Sequence, residues 1–208
     1  SSGTEGRPKA ILLSHRNLAD VVLRLNSIME VTEEIREYIG VPVTYSFGLG
    51  RARAIAAAGG AFFLPERFDP VQIRDMLAAG DINAVSAVPS LWRQVLAAPG
   101  VIGALGEKLR WIEIGSQYMA AADKLALRRL FPNARIVQHY GLTEASRTVF
   151  LDNAATPEAA LAHVRGLAGA YGGHWPAITR ALTDPDAVRP PAALPYELNV
   201  RGTTARLV

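Results

Sequence analysis

Cysteine is absent from all 208 residues. That excludes disulfides and thiolate metal sites, and it fits a reducing, cytoplasmic setting. No apolar run approaches ~20 residues, so the sequence contains no helical membrane span. A basic tract interleaved with aromatics is also missing. The net charge is only +3, and its carriers are scattered, as in Arg51 with Arg53 and Arg128 with Arg129. Nucleic acid is therefore not an expected partner. His15, His163 and His174 fall at no metal-ligand spacing and read as solvated or capping residues. There is no initiating methionine, no signal peptide and no strand ahead of the first loop, so the chain is expected to begin inside a larger protein.

What is present is half hydrophobic, ample for a buried core. Strand-like and helix-like stretches alternate. Ala10 to Leu13 reads as a short strand. Ser14 reads as an N-cap for a helix reaching about Met29, with apolar residues at Leu18, Val21, Val22 and Leu25. Val41 to Tyr45 reads as a buried strand ended by a turn at Gly48-Leu49-Gly50, followed by an Ala-rich helix to Gly59-Gly60. Ala61 to Leu64, Asn83 to Val88, Leu109 to Ile114 and Arg135 to Gln138 read as further strands. Between them, helices are predicted from Asp69-Pro70 to about Ala79, from Pro89 to Pro99-Gly100, and from Ala120 to Leu130. This order predicts an α/β fold, a layered sheet with flanking helices and right-handed crossovers.

The texture changes after Asp152. Residues 1–152 read as one core segment. Residues 153–208 are rich in Ala and Pro, with a possible helix at Thr156 to Val164 and a possible hairpin from Tyr196 to Val208 around Gly202.

Two stretches carry chemistry. Ser1-Ser2-Gly3-Thr4-Glu5-Gly6-Arg7-Pro8-Lys9 concentrates what a phosphate loop needs. Its glycines let backbone N–H groups face an oxyanion, its hydroxyls donate, and Lys9 supplies positive charge. It is not the Walker loop, which ends in Gly-Lys-Ser/Thr. On composition alone, an ordinary Ser/Gly turn remains the alternative. Gln138-His139-Tyr140-Gly141-Leu142-Thr143-Glu144 follows a predicted strand, where α/β folds place ligands. Tyr140 offers a flat face to a purine and Gly141 permits close backbone approach. Thr143 can donate to phosphate, and Glu144 can bind a hard cation such as Mg²⁺. A Tyr-Gly turn with solvated polar residues is the plain alternative.

Both stretches closely resemble motifs of the adenylate-forming enzymes: acyl-CoA synthetases, aryl-CoA ligases, luciferases and peptide-synthetase adenylation domains. The first is similar to that family's Ser/Thr-Ser-Gly-Thr-Thr-Gly-x-Pro-Lys-Gly loop, with Glu5 and Ala10 as departures. The second matches its Tyr-Gly-x-Thr-Glu motif, about 130 residues further on in both. Gly115-Ser116-Gln117 is placed like the turn that walls the adenine slot, although Gln117 and Tyr118 are not the usual Ala-Pro. Val41 to Leu49 is similar to the segment lining the acyl pocket, with Tyr45 at the usual His place. Phe68-Asp69-Pro70 and Val88-Pro89-Ser90 fit as structural markers.

The resemblance implies ATP-dependent formation of an acyl-adenylate. In that reading Ser1, Ser2, Gly3, Thr4, Gly6 and Lys9 hold the β- and γ-phosphates, and Tyr140 stacks on adenine beside Gly115, Ser116, Gln117, His139 and Gly141. Thr143 contacts phosphate and Glu144 holds Mg²⁺, making Lys9, Thr143 and Glu144 the catalytic set. Tyr45, Ala87, Gly115 and His139 line an apolar acyl or aryl pocket. His139, which in isolation could act as a general base, is assigned to that pocket. The acceptor of the acyl group is expected to be coenzyme A or the phosphopantetheine of a carrier protein. The motifs are readable from Ser1 to Asp152, with a faint echo at Tyr196 to Gly202. The family's N-terminal subdomain, its ribose-binding Thr-Gly-Asp motif and its C-terminal lysine are not found, so the chain alone is expected to adenylate poorly. A noncatalytic nucleotide-binding module and an interaction protein on the same fold remain the alternatives.

Overall fold

The computed structural model describes residues 10–141, 143, 147, 149–153 and 161. The α/β expectation holds. Among the described residues, five α-helices surround a six-stranded sheet, in the order α1 His15–Met29, β1 Arg36–Ile39, α2 Ser46–Ala57, β2 Ala61–Phe63, α3 Pro70–Ala79, β3 Ala84–Ala87, α4 Pro89–Ala97, β4 Trp111–Ile114, α5 Ala121–Leu130, β5 Arg135–Tyr140 and β6 Val149–Asp152, with two short 3-10 helices between α4 and β4. The strands lie β2-β1-β3-β4-β5-β6 across the sheet. The first five are parallel, and β6 runs antiparallel to β5.

Strand alternation divides the interior into two cores. Tyr38, Val85, Ala87, Ile112, Ile114 and Ile136 turn to one face and pack on Ile73 and Leu77 of α3, Trp92 and Val95 of α4, and Leu127 of α5. Ala84, Trp111 and Val137 turn to the other, against Leu25 and Met29 of α1 and Ala54 and Ile55 of α2. Burying such residues supplies the main driving force, about 25 cal/mol for each Å² of apolar surface.

Local signals explain the helix starts. Ser14 accepts from the Asn17 N–H at 3.1 Å, while Asn17 Oδ1 accepts from the Ser14 N–H, a reciprocal cap for α1. Asp69 caps α3 through the Val71 N–H at 2.8 Å, with Pro70 at the first helical position.

Three local expectations need correction. Ala10 to Leu13 forms no strand; no described strand pairs with it, and Leu12 stands in solvent. The strand expected at Val41 to Tyr45 lies earlier, at Arg36–Ile39, and Val41 to Tyr45 is a turn. Pro42 has no N–H for a ladder. Gly48 and Gly50 mark no turn; they lie inside α2. A Cβ at Gly48 would strike the Val41 and Pro42 carbonyls, and one at Gly50 would strike the Arg147 guanidinium. These glycines serve close approach. The strand β6 was not anticipated. The segments expected at Thr156 to Val164 and Tyr196 to Val208 lie outside the described residues, except Leu161, which is helical.

Candidate functional site

The register fixes which residues share the carboxyl edge of the sheet. Ala87 pairs with Ile114, and Ile114 with Gln138. Gly115 and His139 therefore follow directly from neighbouring, aligned positions. The strand order reverses between β1 and β3, the place where α/β sheets open a ligand crevice. Tyr45 follows β1 and Ala87 ends β3, so both flank that point. Tyr45 is exposed; Ala87 is buried, and its methyl belongs to the core facing α3, α4 and α5.

After β4 the chain turns sharply. The Gln117 N–H donates to the Gly115 carbonyl at 2.9 Å, closing a three-residue turn around Ser116, whose φ is 70°. A γ-turn with positive φ at its centre is the rare and strained hand of that turn. Gln117 Oε1 accepts from the Ser90 N–H at 3.4 Å, and the Gln117 carbonyl accepts from Gln138 Nε2 at 3.5 Å. Gln117 thus ties the turn to the start of α4 and to β5. A Cβ at Gly115 would collide with His139 Cε1, so only glycine permits this close packing. Tyr118 and Tyr140 stand partly in solvent, at 47% and 42% exposure.

Beneath this edge lies a buried charge cluster. Glu37 of β1, Arg51 of α2 and Glu113 of β4 have no solvent exposure, and Arg147 has 3%. Arg51 donates to both Glu37 oxygens, at 2.9 to 3.1 Å, and its Nε lies 3.0 Å from Glu113 Oε2. Its guanidinium also sits 4.5 Å from the centre of the Trp111 ring, a cation–π contact. Arg147 Nε donates to Glu113 Oε1 at 3.0 Å, and its Nη2 donates to the Phe47 carbonyl at 3.0 Å. His139 Nδ1 approaches the same Glu113 Oε1 to 2.7 Å. Two bare acceptors would repel at that distance, so Nδ1 carries the proton. The Phe47 ring meets the His139 ring edge-on, with centroids 4.7 Å apart.

Burial alone would raise the Glu113 carboxyl, but Arg51, Arg147 and His139 outweigh it and hold it well below the ordinary carboxylate range. Burial pushes the Glu37 carboxyl up, with Arg51 pulling against it. For His139, burial lowers the pKa and Glu113 only partly restores it. The imidazole is accordingly neutral at neutral pH. Both buried carboxylates are committed to guanidiniums, so neither offers its charge to a metal ion.

Of the residues singled out in the sequence, Gly115, Ser116, Gln117, His139, Tyr140 and Gly141 share one region of the sheet edge, with Thr143 beyond them. Ser1, Ser2, Gly3, Thr4, Gly6, Lys9 and Glu144 lie outside the described residues, as does any approach of Lys9 to Glu144. Among the described residues, no cluster of three or more His, Asp or Glu could hold a metal, and no helix is long and apolar enough to cross a membrane. Sequence reasoning missed Glu37, Arg51, Glu113 and Arg147. A charged residue inside the apolar run Trp111-Ile112-Glu113-Ile114 was the available signal.

The profile of the AMP-binding enzyme family matches residues 1–204. The chain belongs to that family. Among AMP-binding relatives, it is 29% identical over 160 residues to a feruloyl-CoA synthase of Amycolatopsis sp, covering 76% of this chain and 32% of that protein. It is 25% identical over 150 residues to surfactin synthase subunit 2 of Bacillus subtilis (strain 168), covering 70% of this chain and 4% of the relative. The ATP-bound crystal structure of MatB from Rhodopseudomonas palustris superimposes with a TM-score of 0.66 at 25% identity, covering 76% of this chain and 31% of that one. The chain thus spans a third or less of the length of these AMP-binding proteins. The family match runs beyond Asp152, where recognisable motifs stop.

Proposed function

We propose that this chain supplies the nucleotide-binding face of an enzyme that activates a carboxylic acid as its acyl-adenylate. The observation that carries the reading is the adjacency of two elements in a member of the AMP-binding family. The strained Gly115-Ser116-Gln117 turn and the strand end His139-Tyr140 leave adjacent strands at aligned positions, with Tyr140 exposed.

In this reading a carboxylate oxygen of the acid bonds to the α-phosphorus of ATP as the bond to pyrophosphate breaks. Tyr140 stacks on adenine, the turn at Gly115 to Gln117 forms the opposite wall, and Thr143 donates to phosphate. Ser1 to Lys9 cradle the departing pyrophosphate. Glu144 would hold Mg²⁺, which when bound neutralises phosphate charge. Rate acceleration then comes from positioning and charge stabilisation. The acyl group passes to coenzyme A or to a carrier-protein phosphopantetheine.

The acid is expected to carry an uncharged, mainly apolar acyl or aryl group. His139 is neutral, and Arg51 and Arg147, buried beneath it, are engaged with Glu37 and Glu113, so neither guanidinium is offered to a second carboxylate. Tyr45, Gly115 and His139 are the proposed pocket residues; Ala87 is left out, because its methyl is buried in the core on the other face of the sheet.

Equilibrium titration of the chain with ATP and AMP tests this. The reading expects saturable binding that weakens at least about fivefold in Tyr140→Ala, since aromatic–base stacking is worth about 1–3 kcal/mol. No saturable binding, or binding indifferent to Tyr140→Ala, would exclude it. Pyrophosphate exchange with a panel of monocarboxylic and dicarboxylic acids then distinguishes the substrate class.

A further inference from the structure

In the sequence Thr143 lies between Tyr140 of β5 and Val149 of β6, which pair with each other. One carboxylate oxygen reaches a residue on each side of it along the chain. Glu113 Oε1 lies 2.7 Å from His139 Nδ1, four residues before Thr143, and accepts at 3.0 Å from Arg147 Nε, four residues after it. The backbone at Arg147 has φ 51°, outside the region a non-glycine residue prefers. That conformation is held where Arg147 donates to Glu113 and, through Nη2, to the Phe47 carbonyl of α2. Gly50 leaves room for the guanidinium, since a Cβ there would collide with it.

We propose that Glu113 is a positioning residue whose Oε1 clasps His139 and Arg147, and thereby sets where Thr143, between them in the sequence, stands relative to a bound nucleotide. The clasp rests on the nucleotide reading above. It also joins the two halves of the proposed site, because His139 belongs to the proposed acid pocket and Arg147, four residues after Thr143, is tied to the helix α2. A fully buried carboxylate on a central strand is costly unless satisfied by several partners. Arg51 and Arg147 offset that cost from opposite sides, which keeps Glu113 ionised and the clasp closed.

The test is AMP binding by titration calorimetry, with urea unfolding measured alongside, for the chain and its Glu113→Gln, Arg147→Met and combined variants. Each single variant is expected to weaken AMP roughly 10- to 100-fold, the scale of a small misplacement of binding groups. The combined variant is expected to bind no more weakly than the worse single one, because both act on one clasp. It removes one charge of each sign, so its unfolding midpoint should recover relative to Glu113→Gln while its affinity does not. Folded single variants binding within twofold of the unaltered chain would overturn the proposal. So would an affinity that recovers in step with the midpoint. Should Glu113→Gln fail to fold, Arg147→Lys takes its place: it keeps the charge, loses the fork, and should lower affinity severalfold, with unchanged affinity again overturning the clasp. An unaltered chain that binds no AMP removes the nucleotide reading and the clasp together. That result is distinct from normal binding with indifferent variants.

Discussion

The His139 ring occupies the space that a side chain at Gly115 would need. The two residues leave adjacent parallel strands, and their close packing shapes the carboxyl edge of the sheet. Gly115→Ala should therefore force the imidazole from its place between Gly115 and Phe47. The expected loss is about 1–3 kcal/mol, the cost of overpacking a close contact. Urea unfolding measures it; a change below half a kcal/mol would mean that the ring moves aside freely.

Ser116 stores strain of the opposite kind. Its φ of 70° suits glycine, and the hydrogen bond from Gln117 to Gly115 fixes it there. Ser116→Gly should raise stability by about 0.5–1 kcal/mol, relief of strain exceeding glycine's entropic cost. A β-branched residue, as in Ser116→Val, should lower it. Thermal unfolding of the pair gives opposite shifts if the turn is strained as described.

Removing one partner of the buried cluster is predicted to be far more damaging than removing a surface pair. Arg51→Met leaves Glu37 and Glu113 facing each other without their shared cation, and should cost about 3–5 kcal/mol. Arg24→Ala breaks the partly exposed contact with Asp20 and should cost no more than about 1 kcal/mol. Glu37→Gln should fall below Arg51→Met, since burial already favours the uncharged carboxyl at that position. Denaturant midpoints rank the three.

The pH dependence of stability follows from His139. Its folded pKa is lowered, by burial first, against the pull of Glu113 and with Arg147 and Arg51 lowering it further. Between that value and about 6.5 the unfolded chain binds the extra proton, so stability falls as pH falls through this window. Glu37 acts with the opposite sign, because a raised carboxyl pKa takes up its proton in the folded state at higher pH. The His139 contribution is isolated by difference: His139→Gln should flatten the loss of stability below about pH 6.5. An unaltered slope would place the titrating group elsewhere.

Much of the frame was legible in the chain. Asp69-Pro70 and Ser14 announce helix starts by local hydrogen bonding, which depends on neighbours in sequence. The strands Ala84–Ala87 and Trp111–Ile114 are mostly apolar, each broken by one polar residue, Ser86 or Glu113, and set between helix signals on both sides, so they were readable for the same reason. The strand Arg36–Ile39 was hidden because Glu37 breaks its apolar pattern, and the residue that makes its burial tolerable, Arg51, lies on the next helix. Gly48 and Gly50 looked like turn residues, whereas their role is set by the Val41 and Pro42 carbonyls and by Arg147, which is distant in sequence. The site divides similarly. Residues such as Tyr140 and Thr143 could be named from the motif they share with the adenylate-forming enzymes, but the Glu113 carboxylate beneath them depends on contacts spanning β1, α2, β4 and β5. No local pattern encodes that convergence.

A crystal structure of the chain soaked with AMP tests the central claim most directly. The account predicts the adenine ring between Tyr140 and the Gly115-Ser116-Gln117 turn, with the phosphate beside Thr143. Nucleotide bound on another face of the sheet, or none at saturating concentration, would contradict it.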